Sequence, residues 1–191
     1  MDTEVGADAD AEDIRRSLTG DGEAYARLVR RYQQPIARSM WRFTRDERCA
    51  EELVQDVFVE AYLSLRTFRG EAPFLHWLRV IATRVGYREW KRRGRERQRL
   101  LYSPEALEQA AAGGDAGLPP GQAGELLHGL LGQLPARDRL VLHLMYLEEC
   151  TVAEAARLTG WSESMVKVQS FRARRKLRRL LEQAREGGTD V

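Results

Sequence analysis

The residues of this chain that can do chemistry are mostly cations, and they fall in two runs. Lys167, Arg172, Arg174, Arg175, Lys176, Arg178 and Arg179 follow one another with no acid between them, a net of +7 over residues 167–179. Between Arg84 and Arg99 there are eight Arg or Lys and two Glu, a net of +6. The whole chain carries only +2, so the remainder carries −11. Ammonium and guanidinium groups at this density attract a polyanion, and two basic poles on an acidic body point to two separate contacts with one. A solvated helix face is the plain alternative for a single run. Two runs, both beside aromatics (Tyr87 and Trp90; Phe171), favour binding.

Other chemistries are poorly provided for. Cys49 and Cys150 are far apart, no C-x-x-C occurs, and His76, His128 and His143 are not at ligand spacing with them. This argues against a disulfide framework and a metal site. The carboxylates are scattered, and no Ser, Cys or Tyr sits beside an evident base, so a nuclease, recombinase or other enzyme is not expected, nor a cofactor. Asp2, Glu4, Asp8, Asp10, Glu12 and Asp13 make the N-terminus acidic, unlike a targeting peptide. No apolar run approaches a membrane span, so a cytoplasmic protein without membrane insertion is expected.

Around the C-terminal basic run, residues 167–179, the sequence builds a frame. Thr151 and Glu154 form a T-x-x-E capping box that starts a helix at Val152. Ala155, Ala156 and Leu158 give that helix a small apolar face. Gly160 ends it, and Ser162 caps the next helix, which runs from Glu163 to about Leu181. Met165, Val166, Val168, Phe171, Leu177 and Leu180 supply the buried positions of this second helix. Two short helices around a tight turn, the second one basic, make the helix-turn-helix pattern, in which the second helix enters the DNA major groove.

The frame of the first basic run is also helical. Residues 1–10 read as a disordered acidic N-terminus, and helical periodicity begins near Ala11. Tyr25, Leu28, Val29 and Tyr32 repeat at three and four, after the turn at Gly20-Asp21-Gly22. A further helix is expected to follow Pro35. Leu53, Val54, Val57, Phe58, Ala61, Tyr62 and Leu65 form one stripe, with Glu51, Glu52, Gln55, Asp56 and Glu60 on the other side. The loop Thr67–Ala72 leads to Pro73, which opens a helix through Phe74, Leu75, Trp77, Leu78, Val80 and Ile81 into the basic segment. Then AAAGGDAGLPPGQ reads as a flexible linker. Leu126, Leu127, Leu130 and Leu131 begin a second apolar set, and Pro135 opens a helix through Leu140, Val141, Leu144 and Met145. The 191 residues suit one or two domains. The expected fold is all-α: two small helical domains, residues 11–99 and 123–185, joined by a flexible linker at 100–122, with a tail at 186–191. The C-terminal domain is the helix-turn-helix.

With these elements in order, the chain resembles a known family. AEELVQDVFVEAYLSLRTFRGEAPFLHWLRVIATR is similar to the promoter-melting domain of extracytoplasmic-function (ECF) sigma factors of the sigma-70 family. LLGQLPARDRLVLHLMYLEECTVAEAARLTGWSESMVKVQSFRARRKLRRLL is similar to their −35-binding domain. The resemblance runs from about Glu23 to Leu181. It implies a dissociable subunit that binds core RNA polymerase through its β and β′ subunits. Such a subunit recognises promoter DNA, double-stranded at −35 and single-stranded at −10, and promotes melting. An anti-sigma factor is the regulator it implies.

The resemblance also assigns residues. Glu51, Glu52, Gln55 and Asp56, with Phe58 and Val59 as anchors, correspond to the core-polymerase contact. Phe68, Arg69, Gly70, Glu71, Trp77, Arg84, Tyr87, Arg88 and Lys91 correspond to the −10 segment, where aromatics stack on bases within a basic groove. Trp90, Arg79, Arg92 and Arg93 are further candidates there, while Phe74 and Trp77 fit core packing equally well. Ser162, Glu163, Ser164, Met165, Lys167 and Gln169 lie at the −35 reading end; Arg172, Arg175, Lys176 and Arg179 correspond to phosphate contacts. Relatives commonly carry Asn near Arg84, Asp near Arg88, Thr near Met165 and Arg near Gln169. The first two departures bear on the −10 base contacts; those at Met165 and Gln169 imply an altered −35 preference or a greater reliance on DNA shape. The rival is a stand-alone helix-turn-helix regulator, which accounts for the C-terminal half but not for the −10-like loop or the acidic helix.

Overall fold

The computed structural model describes the backbone of residues 2–101 and 129–186, and the side chains of 8–96 and 129–183. Most of the linker expected at 100–122 and of the tail expected at 186–191, together with Leu126 and Leu127, lies outside the described residues. Every regular element described is helical, and no strand occurs among the described residues. The first four helices are α1 (Asp2–Leu18), α2 (Gly22–Met40), α3 (Glu47–Ser64) and α4 (Phe74–Leu101), with a 3₁₀ turn at Leu65–Thr67 after α3. After the gap, residues 129–133 are helical. Then come α5 (Ala136–Leu142), a π-helical turn at His143–Leu147, α6 (Val152–Thr159) and α7 (Glu163–Glu186). Packing divides the chain into two units, Met1–Gly86 and Tyr87–Val191, with the border inside α4.

In the first unit, α2 explains why a proline did not end a helix. The sequence placed a helix start after Pro35, yet α2 runs unbroken from Gly22 to Met40. Ala24, Leu28, Ile36 and Met40, spaced by fours and eights, are all buried on one stripe. Burial of that stripe outweighs the one backbone bond a proline removes. Asp21 caps the helix by accepting from the amides of Glu23 and Ala24. In α3, Ala50, Leu53, Val57, Phe58 and Ala61 form the buried face.

The N-terminus also differs from its expected disorder. Helix α1 begins at Asp2 rather than near Ala11 and packs on α2. Asp10 and Asp13 are buried. Asp13 accepts from Arg27 Nη2 at 2.7 Å and Arg31 Nη2 at 3.0 Å, while Asp10 pairs with Arg31 and the Tyr32 hydroxyl. An acidic run reads as solvated when its partners lie in the next helix, out of local view. Burial pushes the Asp13 carboxyl up, but the two guanidinium groups outweigh burial and hold it below the ordinary range.

In the second unit, Leu130, Leu131, Leu134, Leu140, Val141, Leu144, Ala155, Val166 and Ala173 make the core. The helix-turn-helix is built as its sequence signals require. The Thr151–Glu154 capping box is formed in both directions, and Gly160 takes a left-handed φ of 73° after α6. The Ser162 hydroxyl accepts from the Met165 amide at 3.2 Å. The second half of α4, expected to belong wholly with the first domain, groups with this unit instead. Its Trp90, only 5% exposed, lies edge-on to His143 at 5.8 Å, and the Arg139 guanidinium sits 4.2 Å from its ring centre.

Candidate nucleic-acid interface

Helix α7 is turned differently from the expectation of its sequence. Val168 (49% exposed) and Phe171 (54% exposed), both expected in the core, face outward. Their places inside are taken by Ser170 and Ala173 beside Val166, all three buried. Small residues allow α7 to lie close on α5 and α6, whereas a phenylalanine there would hold it away. The outward stripe therefore reads Ser164, Val168, Phe171 and Arg175, at spacings of four, three and four, all exposed. Lys167, Arg172 and Arg179 flank it and are exposed too. The apolar type of Val168 and Phe171 argues for burial, and the structure leaves both on the cationic surface instead. An apolar side chain amid cations on a groove-sized helix is also a contact for a thymine methyl.

Two of the expected −35 residues bind a carboxylate of α5, Gln169 half-buried and Lys176 with 48% of its side chain still exposed. Gln169 Nε2 donates to Asp138 Oδ1 at 2.6 Å, and Lys176 Nζ pairs with Asp138 Oδ2 at 2.6 Å. Met165 is half-buried. Ser162, Glu163 and Ser164 stand exposed at the N-terminal end of α7, and the Ser162 and Ser164 hydroxyls lie 3.0 Å apart.

In the first unit, the −10 candidates Phe68 and Trp77 form an aromatic cluster with Phe74. Phe74 is buried, and Phe68 meets it edge-on at 5.3 Å while Trp77 stacks on it at 5.4 Å. Phe68 and Trp77 are themselves 5.5 Å apart and half-buried, so each keeps part of a ring open beside the loop. Phe74 is thus core, whereas Phe68 and Trp77 belong to both core and surface. Arg69 and Glu71 flank Gly70, exposed and 3.9 Å apart at closest approach.

Along α4, Arg84, Arg88 and Lys91 recur at four and three and are exposed; Tyr87 is half-buried, with Lys91 5.7 Å from its ring centre. Arg92 and Arg93 are engaged by their own helix. Glu89, buried, accepts from Arg92 Nη2 and Arg93 Nε, each at 2.7 Å, and Arg92 also pairs with Glu96. Burial raises the Glu89 carboxyl, but the two guanidinium groups more than offset it and leave it below the ordinary range. Trp90 is closed off by Arg139 and His143 and is removed from the set of stacking candidates.

The third group of candidates lies on α3. Glu51, Glu52, Gln55 and Asp56 are exposed, with Glu52 in a loose pair with Arg48 at 3.3 Å. Phe58, expected as an anchor, is 7% exposed and belongs to the core. Val59 is exposed, as are Tyr62 and Leu63, the last at 76%. Periodicity puts Tyr62 in the buried stripe, and the structure turns it outward beside Leu63. The signal was their spacing of three and four from Val59 on the acidic side. No group of three or more potential metal ligands occurs among the described residues, and none of their helices is long and apolar enough to cross a membrane.

Comparison with known proteins accounts for this pairing of a helix-turn-helix with a helical −10-like unit. Residues 28–96 match the family model for Sigma-70 region 2, and residues 124–177 match that for Sigma-70 region 4. The chain belongs to the sigma-70 family of RNA polymerase sigma factors, in its ECF branch. It is 32% identical over 161 residues to the RNA polymerase sigma factor YlaC of Bacillus subtilis, covering 83% of this chain and 92% of that protein. It is 31% identical over 186 residues to the RNA polymerase sigma factor CnrH of Cupriavidus metallidurans, covering 92% and 95%. The solved structure of CnrH in complex with the cytosolic domain of CnrY superposes with a TM-score of 0.55 at 26% identity, covering 92% of this chain and 98% of that one. The all-helical fold in two sigma regions and the role of RNA polymerase sigma factor follow, and a stand-alone regulator is not favoured.

Proposed function

We propose that this sigma factor reads its promoter at two places and docks on core polymerase through a third. The outward face of α7 enters the major groove of the −35 element. Ser164, Lys167, Val168 and Phe171 meet base edges there, and Arg172, Arg175 and Arg179 hold phosphates. Phe68 and Trp77 stack on bases of the −10 strand as it separates, while Arg69, Arg84, Arg88 and Lys91 neutralise its backbone. Helix α3 carries the polymerase contact. Glu51, Glu52, Gln55 and Asp56 set its charge, and Val59, Tyr62 and Leu63 supply the apolar anchors that a stable interface needs. The chain contributes binding energy and catalyses no phosphoryl transfer itself. The solved complex of CnrH with the cytosolic domain of CnrY supports a protein partner for this chain besides polymerase, in the place of the expected anti-sigma factor.

One observation carries the two-place reading. An exposed cationic stripe with apolar members on α7, and half-open aromatics beside cations around the start of α4, are the separate recognition chemistries of duplex and single-stranded DNA. The test compares a fully paired promoter with one already unpaired across −10, using core polymerase and the full chain. Phe68→Ala should lose open-complex formation on the paired template and regain most of it on the unpaired one. Arg172→Ala should be impaired on both. Equal loss by both variants on both templates would remove the division of labour.

A further inference from the structure

We propose that Asp138 is the positioning residue that sets which face of α7 meets the −35 duplex. It does so by holding Gln169 and Lys176 off the DNA. The inference rests on the −35 reading above and adds to it a residue outside the helix that touches DNA.

Asp138 lies in the first turn of α5 and is 1% exposed, a carboxylate placed where water cannot serve it. Among the described residues each oxygen has one hydrogen-bonding side chain: Oδ1 takes Gln169 Nε2 and Oδ2 takes Lys176 Nζ, both at 2.6 Å. Gln169 and Lys176 are seven residues apart, two turns of α7, and so lie along nearly one line of the helix. A single buried anion between them fixes both the roll of α7 and its position along its own axis. The neighbouring cations of Asp138 are turned to other groups. Arg137 sits 5.1 Å from the Trp161 ring centre and Arg139 4.2 Å from that of Trp90. The partners of the carboxylate therefore come from α7 itself.

The consequence is a choice of reading face. Gln169 could bond an adenine edge and Lys176 a phosphate if they were turned outward. Bound to Asp138, they do neither. The stripe Ser164, Val168, Phe171 and Arg175 faces outward instead. A change at Asp138 thus alters DNA preference without altering any residue in contact with DNA.

The test measures binding of the holoenzyme, full chain with core polymerase, to promoter DNA over a range of salt, together with selection from a pool randomised at −35. Arg175→Ala should flatten the dependence of log K on log salt by about one unit, the signature of a lost phosphate contact. Lys176→Met should leave that slope where it was. Asp138→Asn, which keeps the shape but releases the ammonium group, should steepen the slope by up to about one unit and broaden the selected −35 sequence. The double variant Asp138→Asn with Lys176→Met should return the slope to its original value. A merely structural role would lower affinity uniformly and leave both readouts alone. A Lys176→Met slope that falls as far as that of Arg175→Ala overturns the proposal, and this comparison decides even if Asp138→Asn fails to fold. An unchanged slope and preference in a folded Asp138→Asn variant overturns it as well. If the unaltered holoenzyme selects no −35 sequence at all, the underlying −35 reading fails and takes this role with it.

Discussion

Asp13 and Glu89 show how individual side chains in this molecule decide which cations remain for DNA. Each is a buried carboxylate flanked by two arginines, Arg27 and Arg31 for one, Arg92 and Arg93 for the other. Both are held below the ordinary carboxylate range. Their stabilisation is therefore complete above the unfolded-chain values of about 3.9 for Asp and 4.3 for Glu and is lost as pH falls through the lower folded values. The melting temperature should be flat from neutral pH to about pH 5 and fall below about pH 4, with the fall shallower in Asp13→Asn. At neutral pH, Asp13→Ala should cost about 2 kcal/mol in denaturant unfolding, since charge-assisted bonds are lost while both arginines keep access to water. A melting curve unaffected by acid down to pH 3 would argue against these pairs.

Among elements, α7 and α3 show what the sequence discloses and where it stops. The start and end of the helix-turn-helix were legible because caps are local: Thr151 with Glu154, Gly160 and Ser162 act within four residues of themselves. The roll of α7 was not legible, because it depends on Asp138, 31 residues before Gln169. Phe171 and Val168 were accordingly placed inside, and Gln169 outside. The same limit applies to Asp10 and to Trp90, each decided by partners on another element. In α3 periodicity gives the charged side and places Phe58 in the apolar stripe, both as observed, whereas Tyr62 leaves the stripe for the surface and Phe58 is too buried for the anchor the resemblance implies. Lys at both Glu52 and Asp56 should reduce core-polymerase affinity at least about tenfold, as like charge replaces complementary charge at an interface. Thermal stability should hardly change, because both positions are exposed. A second element-level test concerns the close approach behind α2. A Cβ at Gly86 would run into the ring of Phe43, which is itself buried. Gly86→Ala should therefore destabilise the first unit by about 1–3 kcal/mol despite its better helix propensity, as measured by denaturant unfolding.

For the whole molecule, the division into two sigma-70 regions matters more than any one contact. Sigma-70 region 2 covers residues 28–96 and region 4 covers residues 124–177, so most of the first cationic run falls in one matched region and most of the second in the other. Net charge, at +2, conceals this segregation. The most direct test of the central claim is run-off transcription with purified core polymerase on DNA from the protein's own upstream region. Transcripts of defined length should form only when this chain is added. They should disappear when either the −35 or the −10 element is altered, and with the Glu52→Lys, Asp56→Lys variant. Failure to bind core polymerase, or a transcript that does not depend on the chain, would contradict the account.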